Sequence, residues 1–177
     1  MKKINVTKVV LKDMFAYKTD YNRLFMYNPG QYTVVGEYKN SPIAKVVDSK
    51  HCHLNGKFLA MAKKQAFNGY LIVFDDLAED CPKYVQKFLE NHEIGHIMAG
   101  HLDNIGKQGV GTYINRLLGK GKEARMEYEA DAYSAKVIGT YWTIASLMYL
   151  KRHFKLGMFG GLELQRRINY IRKNAVE

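Results

Sequence analysis

The stretch that decides the fold is His92-Glu93-Ile94-Gly95-His96, near the middle of the 177-residue chain. Residues four apart on a helix project from the same face, because four residues advance about 400° at about 3.6 residues per turn. If this stretch is helical, both imidazoles can therefore reach a single metal ion. Glu93 then lies beside that ion.

The spacing H-E-x-x-H on a helix is typical of zinc proteases, in which two histidines bind the metal and the glutamate is a general base. Tyr84 and Phe88 precede His92 at the same four-residue interval, and this periodicity favours a helix. The pattern therefore predicts His92 and His96 as ligands of one Zn²⁺ ion and Glu93 as the catalytic residue.

The ends of this helix are also marked in the sequence. Asp80 or Cys81 is predicted to cap its N-terminus, and Pro82 suits the first turn, where the missing N–H has no helical partner. Gly100 is expected to end the helix, because glycine readily adopts the left-handed conformation that follows a last turn.

Strands are predicted mainly before the motif. Residues 31–38 and 43–47 are rich in β-formers and compatible with a hairpin, and residues 69–74 (GYLIVF) form the clearest strand. We expect the exposed edge of this last strand to be able to hold an extended peptide by β-addition. Residues 58–66 (FLAMAKKQA) are helix-like, and residues 4–16 fit a short helix or a strand.

Helices are predicted after the motif. Periodicity and glycine stops favour helices over residues 122–138, 140–154 and 162–174, with a glycine-rich break at 157–161. Residues 102–121 hold five glycines and are interpreted as a long loop, of a kind that often serves as a lid.

The third metal ligand has to come from outside the motif. His101 would point away from the metal on a continuing helix, but could swing back if the helix breaks at Gly100. Asp103 shares the His96 face but lies about 10 Å further along the axis. The better source is Glu127 and Asp131, which are four apart and share a face. One of these carboxylates can bind the metal while the other accepts a ligand histidine's N–H.

The segments HEIGHIMAGH and EYEAD, within residues 69–139, together resemble the gluzincin metallopeptidases, in particular the ImmA/IrrE-like family. The second segment is also similar to the ligand-supplying segment of the HtpX and CAAX-prenyl endopeptidases. By this resemblance Glu127 is the third ligand, and Asp131 supports a ligand histidine. The resemblance also implies a regulatory protease that cuts a specific DNA-binding repressor, encoded by a bacterium, a phage or a mobile element.

The chemistry expected of these residues is hydrolysis of a peptide bond by metal-activated water. The oxyanion of the transition state needs a further hydrogen-bond donor. Four residues are candidates for that role: His101, Tyr113, Tyr133 and His153.

The predicted fold class is α+β. The resemblance suggests a minimal zincin-like domain spanning residues 1–177, with a small antiparallel or mixed sheet packed on the motif helix. Residues 1–80 are predicted to be mainly β with a short helix, and residues 81–177 mainly helical.

Composition limits the remaining alternatives. Two cysteines without framework spacing, no signal peptide and no spanning segment favour a cytoplasmic protein without a membrane partner. The net charge of +10 leaves open direct nucleic-acid binding, although no DNA-reading motif is present. His51 and His53 could share one side of a strand, but no two further ligands lie near them.

Two other functions compete with the protease. One is a metal-dependent sensor or basic DNA-associated binding module without turnover, for which Glu93 would have no use as a general base. The other is a purely structural zinc site, which normally has four protein ligands. Cys81 lies about 16 Å from His92 along the helix axis, too far to be a fourth ligand.

Overall fold

A computed structural model of the protein describes residues 31–48, 59–65, 69–104, 121–154 and 157–174. These ranges form an α+β fold, as predicted, with a four-stranded mixed sheet followed by helices. The strands are β1 (Tyr32–Tyr38), β2 (Ser41–Val47), β3 (Ala60–Lys64) and β4 (Tyr70–Phe74). The α-helices are α1 (Asp76–Glu79), α2 (Lys83–Met98), α3 (Gly121–Ile138), α4 (Thr140–His153) and α5 (Gly157–Asn174).

Strands β1 and β2 form the hairpin that the β-rich sequence predicted. Lys39 and Asn40 connect them, and both have positive φ angles, of 50° and 61°. Two such residues suit the tight hairpin turn whose twist matches that of the flanking strands. The second strand begins at Ser41, so Pro42 lies within β2, opposite Glu37 of β1.

The sheet has the order β1-β2-β4-β3, and this order corrects the predicted peptide-binding edge. Strand β4 pairs in parallel with β2 and antiparallel with β3, so both of its edges are occupied. All five residues of β4 are buried, as expected for an apolar strand at the centre of a sheet. Among the described strands, the outer edge on this side of the sheet therefore belongs to β3.

The prediction of a helix over residues 58–66 was wrong for the part that the structure describes. Residues 60–64 form β3, which pairs along its length with β4. Alanine, methionine and lysine are good helix formers, but pairing with a buried neighbouring strand overrides local propensity in so short a segment.

Helix α2 carries the motif, and the residue that caps its N-terminus differs from the prediction. Pro82 itself is the N-cap, and its carbonyl oxygen accepts hydrogen bonds from the N–H groups of Val85 and Gln86. Neither Asp80 nor Cys81 caps the helix. Gly100 has a φ of +70° and follows the last turn, so it ends the helix as expected.

Helix α3 packs directly against α2, because small residues face each other at the crossing. A Cβ atom added at Gly95 would lie 2.9 Å from Cα of Ala130 and 3.0 Å from its carbonyl oxygen. Such distances are shorter than ordinary van der Waals contact. The backbones of the two helices therefore approach closely beside the motif, and side chains of α3 can reach it.

Helices α4 and α5 complete the core. The helix predicted over residues 140–154 is confirmed, but α5 begins at Gly157, so the predicted glycine-rich break is part of a helix. Leu147 and Ile168 are fully buried where these helices join the core formed by α2 and the sheet. Among the described helices, none combines the length and apolar character needed to span a membrane.

Several predicted features lie outside the described residues. They are residues 4–16, the His51-Cys52-His53 segment, and residues 105–120 of the predicted loop, which include Tyr113. Residues 101–104, at the start of that loop, form a single turn of 3-10 helix. The prediction of one domain over residues 1–177 remains a prediction.

Candidate metal centre

Three predicted ligands meet where α2 and α3 cross. Nε2 of His92 lies 3.2 Å from Nε2 of His96, and 3.4 Å from Oε2 of Glu127. Nε2 of His96 lies 3.7 Å from Oε1 of Glu127. Donor atoms bound to one tetrahedral Zn²⁺ ion are about 3.3–3.6 Å apart, given metal–ligand distances of about 2.0–2.2 Å. These three side chains therefore form a group that could hold a metal ion.

The other ring nitrogen of His92 is held by Asp131. Nδ1 of His92 lies 2.9 Å from Oδ1 of Asp131, whose side chain is completely buried. A carboxylate in this position accepts the Nδ1–H and leaves Nε2 free as a metal ligand. The structure thus brings together Glu127 and Asp131 on the same side of α3, as their spacing predicted.

Arg167, on α5, is the main residue of this centre that the sequence reasoning did not identify. Its guanidinium donates to both oxygens of Asp131, over 2.7 Å from Nε and 2.6 Å from Nη2. Nη1 also lies 3.0 Å from Oε2 of Glu127. One buried guanidinium therefore contacts both Asp131 and Glu127, and its positive charge partly balances their two negative charges within the core.

A signal for Arg167 does exist in the sequence. Leu164, Ile168 and Ile171 are buried on α5, and Arg167 lies on the same face, three residues after the first and four before the last. A charged residue within an apolar helical stripe is rarely buried without a partner. The sequence alone does not say which carboxylate that partner is.

The surrounding residues give His92 and His96 very different pKa values. Burial and the charge of Arg167 lower the pKa of His92, but hydrogen bonds to Asp131 and Glu127 outweigh them and raise it to about 9. Burial and the neighbouring His92 lower the pKa of His96 to about 3. Near neutral pH His92 in the metal-free centre is therefore protonated on both ring nitrogens, and a metal ion would displace the proton on Nε2.

Glu93 is buried beside the three ligands and is oriented by the sheet. Its Oε2 atom accepts a 2.7 Å hydrogen bond from the backbone N–H of Ala62 on β3. Burial raises the pKa of Glu93 above that of an ordinary glutamate, and the nearby Glu127 raises it further. A carboxylate with a raised pKa is better suited to accept and return a proton near neutral pH.

His101 lies next to His96, because the helix ends at Gly100 and the chain turns back. Nδ1 of His101 is 2.8 Å from Nδ1 of His96, on the side of that ring away from Glu127. Nε2 of His101 is 2.9 Å from Oε2 of Glu129. His101 therefore turns back towards His96 and is adjacent to the ligand group but not part of it.

The remaining candidate donors lie in different places. Tyr133 is half-buried on α3, with its Cβ beside Gly95 at the helix crossing. His153 stacks on Tyr149, with ring centroids 4.2 Å apart, and Tyr149 in turn contacts Tyr84, two turns before His92 on α2. Tyr113 is outside the described residues. These contacts place His153 near the N-terminal part of α2, whereas His96 lies near its C-terminus.

The described residues thus contain a centre with two imidazoles and one carboxylate as potential ligands and a buried glutamate beside them. Comparison with models of known protein families, with curated proteins and with solved structures found no match to this chain. The function proposed below is therefore inferred from the geometry of the centre.

Proposed function

We propose that the protein is a zinc-dependent endopeptidase that hydrolyses peptide bonds with a water molecule activated at the metal centre. The observation that carries this proposal is the placement of Glu93 beside the His92, His96 and Glu127 donor set. Three protein ligands leave a position for water and substrate, which distinguishes a catalytic zinc site from a closed structural one. A binding module would need the ligands but not the buried glutamate.

The donor set suits Zn²⁺. A zinc ion held there would lower the pKa of a bound water and polarise the substrate carbonyl. Two imidazoles and a carboxylate also suit Mn²⁺, Co²⁺ and Fe²⁺, so the native metal has to be identified by analysis. Asp131 and Arg167 hold His92 and Glu127 in place by the hydrogen bonds described above.

Glu93 is proposed to be the general base and then the general acid. Its carboxylate takes a proton from the attacking water and passes that proton to the nitrogen of the leaving amine. Burial raises the pKa of Glu93, and a more basic carboxylate takes the proton from water more readily. The hydrogen bond from Ala62 limits that rise and fixes the position of the carboxylate.

The substrate is proposed to lie along the outer edge of β3, where no other described strand pairs. Hydrogen-bonded pairs alternate along an antiparallel ladder, and Leu59–Asp75 and Gln65–Gly69 are such pairs between the segments of β3 and β4. The backbone groups of Ala60, Ala62 and Lys64 therefore point away from β4. One of them, the N–H of Ala62, meets Glu93. An extended peptide added to this edge would lie beside Glu93.

The arrangement supports a zincin-like reading of the fold, with an edge strand beside the motif helix and the third ligand on the next long helix. The resemblance of HEIGHIMAGH and EYEAD to the ImmA/IrrE-like family further suggests a specific repressor as substrate and a cytoplasmic site of action. This last step rests on analogy between families and not on the geometry of the site.

The test compares wild-type protein with Glu93→Gln, using a proteome-derived peptide library and mass spectrometry to detect new termini. Glu90→Gln is the matched control, because Glu90 lies one turn earlier on α2 and pairs with Lys45 of β2. We expect zinc-dependent cleavage by wild-type protein and by the control, and none above background by Glu93→Gln with zinc still bound. Undiminished cleavage by zinc-loaded Glu93→Gln would overturn the mechanism.

A further inference from the structure

His96 is joined to the protein surface by a chain of hydrogen-bonded side chains that the proposed mechanism does not use. We propose that His101 and Glu129 are positioning residues for His96, forming a directed hydrogen-bond chain from the metal ligand to the surface. This inference rests on the metal centre proposed above and extends it to residues outside the ligand set.

The chain depends on the break in the helix at Gly100. A continuing α-helix would carry His101 about 140° around the axis from His96. The positive φ of Gly100 instead turns the backbone, and the imidazole of His101 returns to the ring of His96. His101 is buried, with 6% of its surface exposed, so its ring nitrogens depend on protein partners.

The direction of the hydrogen bonds follows from the chemistry of imidazole. A neutral imidazole has one N–H and one acceptor nitrogen. If Nε2 of His96 binds a cation, Nδ1 of the same ring must carry the proton. Nδ1 can then only donate a hydrogen bond. Nδ1 of His101, 2.8 Å away, must then accept, which puts the proton of His101 on Nε2. That N–H points at Oε2 of Glu129, 2.9 Å away.

The outer end of this hydrogen-bond chain is held by the positive charge of Arg125. Oε1 of Glu129 accepts a 2.7 Å hydrogen bond from Nε of Arg125, one turn earlier on α3. Glu129 thus accepts hydrogen bonds from both His101 and Arg125, and these bonds lower its pKa. Arg125 is exposed and Glu129 is partly exposed, so the hydrogen-bond chain ends at solvent.

The two ligand histidines are thus supported in parallel but different ways. His92 is held by Asp131 and Arg167, which are buried. His96 is held by another histidine, whose own partner is a carboxylate at the surface. Residues that orient a ligand from behind commonly change metal affinity by about 10- to 100-fold when they are removed. We expect an effect of this size for His101.

The first experiment measures zinc affinity by competition with a chromophoric chelator. His101→Phe keeps an aromatic ring and removes the acceptor, and should weaken zinc binding by about 10- to 100-fold. Glu129→Gln retains an acceptor oxygen without the charge and should have a smaller effect. His153→Phe is the matched control, because His153 also contacts an aromatic ring but lies away from the ligands. The zinc affinity of this variant should equal that of wild type.

The second experiment needs no variant and records the ¹⁵N spectra of the histidine rings in zinc-loaded wild-type protein. The expected result is a proton on Nδ1 of His96 and on Nε2 of His101. A proton on Nδ1 of His101, or wild-type zinc affinity in folded His101→Phe, would overturn the proposed chain while leaving the protease proposal intact. Failure of the wild-type protein to bind zinc would overturn both.

Discussion

The backbone N–H of Ala62 donates a 2.7 Å hydrogen bond to Oε2 of Glu93, and this bond joins the outer edge of β3 to the motif helix. The N–H is available because it points away from β4. The same strand edge therefore orients the proposed general base and offers the backbone groups to which an extended substrate would pair.

Replacing Ala62 by proline should test this bond without removing a ladder hydrogen bond, because proline is tolerated where the N–H faces away from the neighbouring strand. We expect kcat/KM to fall by about 10- to 100-fold, since a hydrogen bond to a charged group contributes about 1.5–3 kcal/mol. Loss of the N–H should also raise the pKa of Glu93 and move the acidic limb of the pH–rate profile to higher pH.

Ala62→Ser is the control for the proline variant, because it changes the side chain and keeps the N–H. Its pH–rate profile should match that of wild type, and both variants should bind zinc. An Ala62→Pro profile that coincides with the Ala62→Ser profile would show that the bond does not tune Glu93.

Replacing Arg167 by methionine should destabilise the protein strongly. Asp131 and Glu127 would lose the guanidinium that pairs with both of them, and breaking a buried ion pair costs about 3–5 kcal/mol. Arg167→Lys should recover only part of this, because an ammonium cannot bond bidentately to Asp131 while reaching Glu127. Urea denaturation of the zinc-free variants measures the free energy of unfolding.

The control is Arg172→Met, an exposed arginine on the same helix, which should change the free energy of unfolding by no more than about 0.5 kcal/mol. Equal stability of Arg167→Met and Arg172→Met would contradict the assigned role of Arg167.

Adding a methyl group at Gly95 should force α2 and α3 apart, because the new Cβ would lie 2.9 Å from the backbone of Ala130. We expect Gly95→Ala to cost about 1–3 kcal/mol of stability and to weaken zinc binding, since the ligands lie on both helices. Gly161→Ala on α5 meets nothing within 4 Å and should be neutral or up to about 1 kcal/mol more stable. Similar thermal unfolding of the two variants would contradict the close approach.

Zinc binding should release about one proton per ion near pH 7. His92 has a pKa of about 9 in the metal-free centre and must lose its proton to become a ligand, whereas His96, with a pKa of about 3, is already neutral. Affinity should therefore rise about tenfold per pH unit from pH 6 to 8 and level off above pH 9. Calorimetry in buffers of different ionisation enthalpy counts the protons, and a count of zero would contradict the protonation of His92.

The parts of the centre that share one helix could be predicted from the sequence. Helical periodicity alone places His92 and His96 on one face of α2, and Glu127 and Asp131 on one face of α3. The chain sequence also contains the small residues that let these helices meet. Strand β4 was recognisable because its five consecutive apolar residues suit the centre of a sheet.

The parts that depend on tertiary contacts could not be predicted in the same way. Strand β3 is built from helix-forming residues and exists through its pairing with β4, so local propensity predicts the wrong element. Arg167 is one of 27 basic residues and lies 75 positions after His92, and no spacing rule connects the two. The approach of His101 to Glu129 depends on a single backbone angle at Gly100.

The most direct test of the central claim is the location of zinc in a crystal of the zinc-loaded protein, by anomalous diffraction at the zinc absorption edge. We predict one peak per chain, contacted by Nε2 of His92, Nε2 of His96 and a carboxylate oxygen of Glu127, with Glu93 beside it and not bound. A peak held by four protein ligands, a peak elsewhere, or no peak at these residues would contradict the proposed catalytic centre.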